Sequence, residues 1–190
     1  MQNNKLNYNK LLFEFISVSF AIMFALFVDQ WRESYNNQQL ANKAIYSIRE
    51  EVTENKLLIK EFTPNHQLKL HYLDSLIEVQ KNSGIKVDTV KSIEVTLLSS
   101  SAWEMSKITN AIYYIDFETT NNIAKVYKLQ SYYESIVKQY IINSSNSIAD
   151  ESSLIALSSG KKFLETIIPI EKDLSLYYGL ILDTELTKKQ

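Results

Sequence analysis

The two histidines are the first candidates for chemistry in this chain, because imidazole serves both as a metal ligand and as a general base. His66 and His71 lie five residues apart. On a helix they therefore do not share one face, as a pair of metal ligands would. Asp74 could join them in a site, but the spacing favours surface or half-buried histidines.

Other residue patterns point away from catalysis. The serines never occur as G-x-S-x-G or beside an obvious base, and both glycine-rich phosphate-binding motifs are absent from the sequence. The carboxylates Glu50 and Glu51 lie among mixed charges, which is typical of a solvated helix face. The chain has no cysteine, which excludes disulfides and thiol chemistry. We therefore expect a protein without enzymatic activity, metal or cofactor.

Composition limits the fold and the partners. A chain of 190 residues suits one domain, and its net charge of -2 offers no concentrated basic face for nucleic acid. Only three glycines and two prolines are present. Because turns and hairpins consume both residues, this shortage predicts an all-α protein.

An apolar stretch from Leu11 to Val28 contains one charged residue, Glu14. As a helix it is about 27 Å long, close to the hydrocarbon thickness of a bilayer. A buried core helix would show a polar face, and a cleaved signal peptide would end in a small-x-small site. The sequence shows neither, and it predicts a tail over 1–10, a transmembrane helix over 11–28, and a helical stalk and bundle domain over 29–190.

The residues that flank this stretch mark the membrane interface. Trp31 suits the headgroup level, Arg32 can reach phosphates, and Asp29 and Lys10 complete the two polar boundaries. Without glycine or proline between Asp29 and Thr63, the helix should continue into water as a stalk. Lysine and arginine counts on the two sides are nearly equal, but a short N-terminal tail favours a cytoplasmic N-terminus and an extracytoplasmic C-terminal domain.

Glu14 has two interpretations. It follows Lys10 by four residues and could form an interfacial ion pair with it. Alternatively, Glu14 continues a stripe of small residues, Ser17, Ala21 and Ala25, along which a second membrane helix could pack. The second interpretation predicts a protein partner or a homo-oligomer through the transmembrane helix.

Apolar residues beyond the membrane recur at intervals of three and four, which predicts an antiparallel helical bundle. We expect the stalk helix to end at Pro64 and a second helix to cover 65–82, with Gly84 just past its end. A strand, or a helix from Asp88, could occupy 85–101. The predicted seams are Ile45, Ile48, Val52, Asn55, Ile59 and Phe62; then Leu68, Tyr72, Leu76 and Val79.

Two further helices are expected in the second half. One over 102–114 precedes a longer helix capped by Asp116, a serine- and asparagine-rich linker begins at Asn143, and a last helix over 160–186 is kinked at Pro169. Their seams are Ile123, Val126, Gln130, Tyr133, Val137 and Tyr140; then Phe163, Ile167, Ile170, Leu174, Tyr177 and Ile181.

Twelve tyrosines include three doublets, at 113–114, 132–133 and 177–178. One member of each doublet can face the core while the other lines a ligand pocket or a protein-binding surface. Ordinary bundle packing is the simpler interpretation.

Two segments, VDQWRES and SAWEMSKITNAIYYID, give the chain a family resemblance. It resembles an uncharacterised bacterial family of single-pass membrane proteins with an apolar N-terminal helix that runs into Asp/Asn-x-Trp-Arg/Asn-Glu. The resemblance implies an anchored, helical protein of the bacterial inner membrane and transfers no activity. The matching residues are Asp29, Trp31, Arg32 and Glu33, then Ser101, Trp103, Glu104 and Tyr127.

Two functions follow as hypotheses. The first is a membrane-anchored, non-enzymatic accessory or scaffold subunit that presents a helical domain to membrane or envelope proteins. The second is a ligand-sensing helical module that acts through a partner membrane protein.

Overall fold

The computed structural model describes residues 8–84, 92–146 and 153–187, and these residues contain four α-helices and no strand. The helices are α1 (Tyr8–Ser83), α2 (Ser101–Ile108), α3 (Phe117–Asn146) and α4 (Ser153–Thr187), with a 3-10 helix over Ala111–Tyr114 between α2 and α3. The all-α prediction and the long N-terminal helix that enters an antiparallel bundle are confirmed.

Helix α1 runs unbroken for 76 residues and contains Pro64. The prediction that Pro64 ends the stalk helix is therefore wrong. Proline removes one backbone hydrogen bond, to the carbonyl of Lys60. Both Pro64 and Lys60 are exposed, so water can reach this carbonyl, while packing on either side of it holds the helix together.

The uninterrupted helix also changes which face is buried beyond Pro64. Leu68, Tyr72 and Val79 were expected in the core, but they are 69%, 47% and 50% exposed. Leu73 and Ile77 are buried in their place. Because the helix continues beyond Ile59 without interruption, the buried face follows the register of the first seam. The seam predicted for a separate second helix is therefore not the buried one.

Gly84 ends α1 as expected. Its φ of 68° lies in the left-handed region, and its N–H donates to the carbonyl of Gln80 at 3.1 Å. Glycine adopts this conformation at little cost, which allows it to close a helix. The chain can then turn back toward the base of the bundle.

The segment from 92 to 114 returns antiparallel to α1. The Glu94 carbonyl contacts His66, Ser99 contacts Asn55, and Ala111 lies in a hollow with Leu40. Residues 92–100 have no regular secondary structure, and 85–91 lie outside the described residues. Helix α3 then ascends and α4 descends, so one of the four positions in this bundle is taken by a mostly extended segment.

Helix α2 is shorter than predicted. It ends at Ile108, and Asn110 follows with a φ of 59°, which breaks the expected helix over 102–114. The 3-10 helix forms after it. The predicted cap of α3 is confirmed, since the Thr119 N–H donates to Asp116 Oδ1 at 2.9 Å.

The core lies along the predicted seams. On α1 the seam is buried from Ile48 to Ile59, and on α3 it is buried from Ile123 to Val137. Tyr140 stacks on Phe163 of α4, with ring centroids 3.9 Å apart. These heptad-like patterns position the three long helices.

Helix α4 differs from its prediction at the start and at one seam position. It begins at Ser153 and continues through Pro169, while 147–152 of the expected linker lie outside the described residues. Tyr177 is 45% exposed and Tyr178 is fully buried. The tyrosine doublet thus does place one ring inside, but not the one that was predicted.

Candidate functional site

The apolar stretch of α1, residues 11–28, is not packed against the described bundle. Every residue from Leu11 to Val28 is exposed except the half-exposed Ser19, and this stretch is long and apolar enough to cross a membrane. The first buried residue of α1 is Ala41, about 20 Å farther along the helix axis. Between Val28 and Ala41, α1 buries no residue, although Tyr114 shares a hollow with Gln30, Ser34 and Gln38 on this part of the helix.

The predicted helix-packing residues lie together on α1. Glu14, Ser17, Ala21 and Ala25 are all exposed and follow one another at intervals of three and four. Lys10 Nζ lies 4.0 Å from Glu14 Oε1. The stripe and the ion pair coexist, so the two interpretations of Glu14 are compatible.

The predicted interface residues lie just beyond the apolar stretch. Asp29, Trp31 and Arg32 are exposed, with Trp31 at 69%. None of them is shielded by the other described residues. Their exposure is what a position at a membrane interface would require.

The family-like residues lie at the start of α2. Trp103 is half-buried and stacks on Tyr127 of α3, with ring centroids 5.5 Å apart. Glu104 is exposed and bonds Lys107 at 2.7 Å, and Ser101 is exposed. Trp103 and Tyr127 thus join α2 to α3, which gives this motif a structural role.

Glu51 holds the most densely bonded carboxylate of the described bundle. It is 7% exposed and accepts hydrogen bonds from the Tyr127 hydroxyl and the Ser99 hydroxyl, each at 2.6 Å. It also accepts the Ala102 N–H of the first turn of α2 at 3.0 Å. Since Ser100 makes no side-chain cap, Glu51 caps α2 from another helix. The expectation that Glu51 lies on a solvated face is wrong.

An amide cluster continues inward from Glu51. The side-chain amide of Asn55 accepts the Ser99 N–H at 2.9 Å and donates to the Ser99 carbonyl at 2.8 Å. It thus bonds both backbone groups of Ser99, as a neighbouring β-strand would. Gln130 donates to the same carbonyl at 2.9 Å and accepts from the Tyr178 hydroxyl at 2.7 Å. This cluster fixes the extended segment against α1, α3 and α4.

The buried tyrosines are held as neutral hydrogen-bond donors. Burial raises the pKa of Tyr127, and its hydrogen bond to Glu51 raises it further. Burial likewise raises the pKa of Tyr133 and of Tyr178. These hydroxyls serve as structural donors and not as bases.

His66 and Glu171 form a buried hydrogen-bonded pair between α1 and α4. His66 Nδ1 lies 2.7 Å from Glu171 Oε1, and Nε2 lies 2.7 Å from the Glu94 carbonyl oxygen. Both residues are buried, at 2% and 0% exposure. Because both ring nitrogens face acceptors, a doubly protonated ring satisfies the site. The expectation of a surface or half-buried His66 is wrong, whereas His71 is exposed.

The pKa of His66 reflects a competition. Burial alone lowers it, but hydrogen bonds to Glu171 and to the Glu94 carbonyl together outweigh burial, so the pKa lies above its usual value. One Glu171 oxygen, Oε2, has no hydrogen-bond partner. The pair is enclosed by the bundle, so it can store a proton but cannot reach a substrate.

An apolar groove of about 370 Å³ opens between α1, α3 and α4 near the base of the bundle. Ile48, Ile123 and Val126 form its floor, and the cationic side chains of Arg49 and Lys125 line it as well. Its volume falls in the range of small-molecule sites, roughly 300–1,000 Å³. The groove therefore combines an apolar floor with two cationic side chains.

The sequence placed two of the buried polar residues in the core but missed Glu51, His66 and Glu171. Asn55 and Gln130 did stand inside apolar seams, and a polar residue at a core position is the signal of a buried network. Glu51 and Glu171 carried no such signal. No metal-binding group of three or more histidine or acidic side chains occurs in 8–84, 92–146 or 153–187.

No family model, curated protein or solved structure matches this chain. The family resemblance therefore stays a prediction that rests on the two tryptophan motifs.

Proposed function

We propose that this chain is a membrane-anchored, non-enzymatic accessory or scaffold subunit that presents a helical domain to membrane or envelope proteins. One observation carries the proposal: α1 is a single helix from Tyr8 to Ser83. Its apolar stretch from Leu11 to Val28 is unpacked, and from Ala41 onward it is the element against which the bundle is built. A partner that binds the apolar stretch is thereby joined to the bundle through one continuous helix.

The interior of the bundle supports a structural role. Its buried ionisable and amide groups face one another, and those around Glu51 and Gln130 are held by several hydrogen bonds each. A catalytic group needs access to a substrate. These groups instead form hydrogen bonds that hold the helices in their orientations. From the short N-terminal tail and the family resemblance, we place the N-terminus in the cytoplasm and the bundle outside the inner membrane of a bacterium.

Partner binding through the membrane should depend on the small-residue stripe. Replacing Ala21 and Ala25 together by leucine should remove the close approach of a second helix. We expect loss of the co-purifying partner or of the homo-oligomer when the full chain is isolated in mild detergent. Mass spectrometry of co-purified proteins and light scattering measure the two outcomes.

Ser19→Leu is the matched control, because Ser19 lies about 200° around the helix from Ala21. It makes the same kind of small-to-large change on the opposite side and should leave the complex intact. An unchanged complex in the double variant would show that the stripe faces only lipid. A monomer without any partner in the unmodified chain would contradict the scaffold proposal itself.

The groove favours a second function, a ligand-sensing module that acts through a partner membrane protein. Its apolar floor and its two cationic side chains suit a small molecule with an apolar body and an anionic group. Helix α1 lines the groove through Ile45 and Ile48. Because α1 also carries the apolar stretch, occupancy of the groove could be passed to a partner helix.

Filling the groove tests this second function. The full chain in nanodiscs should gain thermal stability with an anionic amphiphile such as a medium-chain fatty acid. Val126→Trp, which occupies the floor, should abolish that gain. Leu97→Trp, at a site 55% exposed and outside the groove, should retain it. An equal gain in both variants would contradict a specific site.

A further inference from the structure

The connection between α2 and α3 exposes three large hydrophobic side chains. Ile108, Tyr113 and Phe117 are 72%, 76% and 85% exposed, while Ala111 is fully buried and Ile115 is 8% exposed. A water-facing turn normally shows polar residues to solvent. Three large apolar side chains clustered on one short connection mark a surface that something else covers.

The position of this connection along α1 indicates what covers it. Tyr114 shares a hollow with Gln30, Ser34 and Gln38 of α1. These α1 positions lie roughly 3–15 Å beyond Val28 along the helix axis. The polar headgroup layer occupies roughly 5–8 Å directly outside the hydrocarbon, so the hollow at Tyr114 reaches down to it, whereas Thr109 lies in a higher hollow with Leu40 and Ser47. The lower end of the connection therefore lies at the height of the membrane surface that α1 defines.

We propose that residues 113–117 form a membrane-docking loop that seats Tyr113 and Phe117 in the interfacial layer of the bilayer around α1. The proposal rests on the membrane anchoring in the proposed function. Tyrosine is favoured at this layer because its ring is apolar and its hydroxyl can bond headgroups. Phenylalanine gains by leaving water for the acyl boundary.

The charges near the loop indicate whether it contacts anionic lipids or a neutral lipid surface. Lys107 is engaged by Glu104 at 2.7 Å, and Asp116 and Glu118 add negative charge. A loop that relied on anionic lipids would carry unengaged cations. The contact is thus apolar and aromatic, and a neutral phospholipid surface suffices for it.

Trp31 and Tyr35 extend the same layer around α1. They are 69% and 61% exposed and lie within the stretch of α1 that Tyr114 flanks. With the loop they form an aromatic belt at one level. Two points of attachment, the span and the loop, would hold the bundle at a fixed tilt to the membrane.

The absence of cysteine allows a direct test. Tyr113→Cys and Phe117→Cys, each labelled with an NBD fluorophore, are reconstituted as the full chain in phosphatidylcholine vesicles. We expect a blue-shifted emission, quenching by doxyl groups on the lipid, and shielding from iodide. Leu68→Cys is the water control, because Leu68 is equally exposed at 69% but lies high on the bundle. Phe20→Cys is the membrane control.

The outcomes separate this proposal from the anchoring on which it rests. If Phe20→Cys is quenched by lipid but both loop labels behave like Leu68→Cys, the loop proposal is wrong and anchoring stands. If Phe20→Cys is not quenched, anchoring fails as well. Loop labels that are shielded from lipid and iodide alike, in a manner that depends on protein concentration, would assign the surface to a second copy and overturn the lipid contact.

Discussion

Replacing Glu51 by alanine lowers the free energy of unfolding by roughly 3–5 kcal/mol, because three donors lose their shared acceptor and each buried donor left unsatisfied costs about 1–3 kcal/mol. The alanine leaves the Tyr127 hydroxyl, the Ser99 hydroxyl and the Ala102 N–H without their shared acceptor. Two of these donors hold the extended segment and α2 onto α1. The lost free energy therefore includes the attachment of this whole segment to α1, and not one hydrogen bond alone.

Denaturant unfolding of the full chain in nanodiscs, followed by circular dichroism, measures this loss. Glu54→Ala is the matched control, because Glu54 is exposed on the same helix, and we expect a change within about 0.5 kcal/mol. Glu51→Gln should fall between the two, at about 1–3 kcal/mol, since an amide N–H would face donors. Equal stability of the Glu51→Ala and Glu54→Ala proteins would contradict the network.

Raising the pH should destabilise the bundle through His66. The ring holds its second proton more tightly in the folded protein than in the unfolded chain, where histidine titrates near about 6.5. The extra stability is complete below that value and is lost as the pH rises through the higher pKa of the folded state. Each unit between the two pKa values contributes about 1.4 kcal/mol.

The Glu171→Gln variant should abolish this pH dependence. Its amide N–H can donate to Nδ1 of a neutral ring, whose Nε2–H still donates to the Glu94 carbonyl. Urea unfolding between about pH 6 and 9 should then give a flat profile for the variant and a falling one for the unmodified chain.

The His71→Gln variant is the control for the titration of an exposed histidine. It should keep the falling profile. The Glu171→Ala variant should lose roughly 3–5 kcal/mol at acidic pH, because it leaves a buried imidazolium unpaired. A profile that still falls in Glu171→Gln would assign the pH dependence to another group.

The sequence by itself determined the helical class, the apolar stretch of 11–28 and most seams of the bundle. Each of these depends on spacing within one helix. Ile123, Val126 and Gln130 were placed in the core because a helix brings every third or fourth residue to one face. The Asp116 cap and the Gly84 end are also local, since each involves residues three or four positions apart.

Only the tertiary structure decided the course of the chain around Pro64 and the fate of the polar residues. Proline ends a helix unless packing on both sides compensates, and that packing comes from α4 and the extended segment. Asn55 meets Ser99 across 44 positions, and His66 meets Glu171 across 105. Whether a glutamate or a histidine is buried depends on such distant partners. Burying a polar side chain is costly unless those partners form hydrogen bonds with it. Spacing along one helix cannot supply that information.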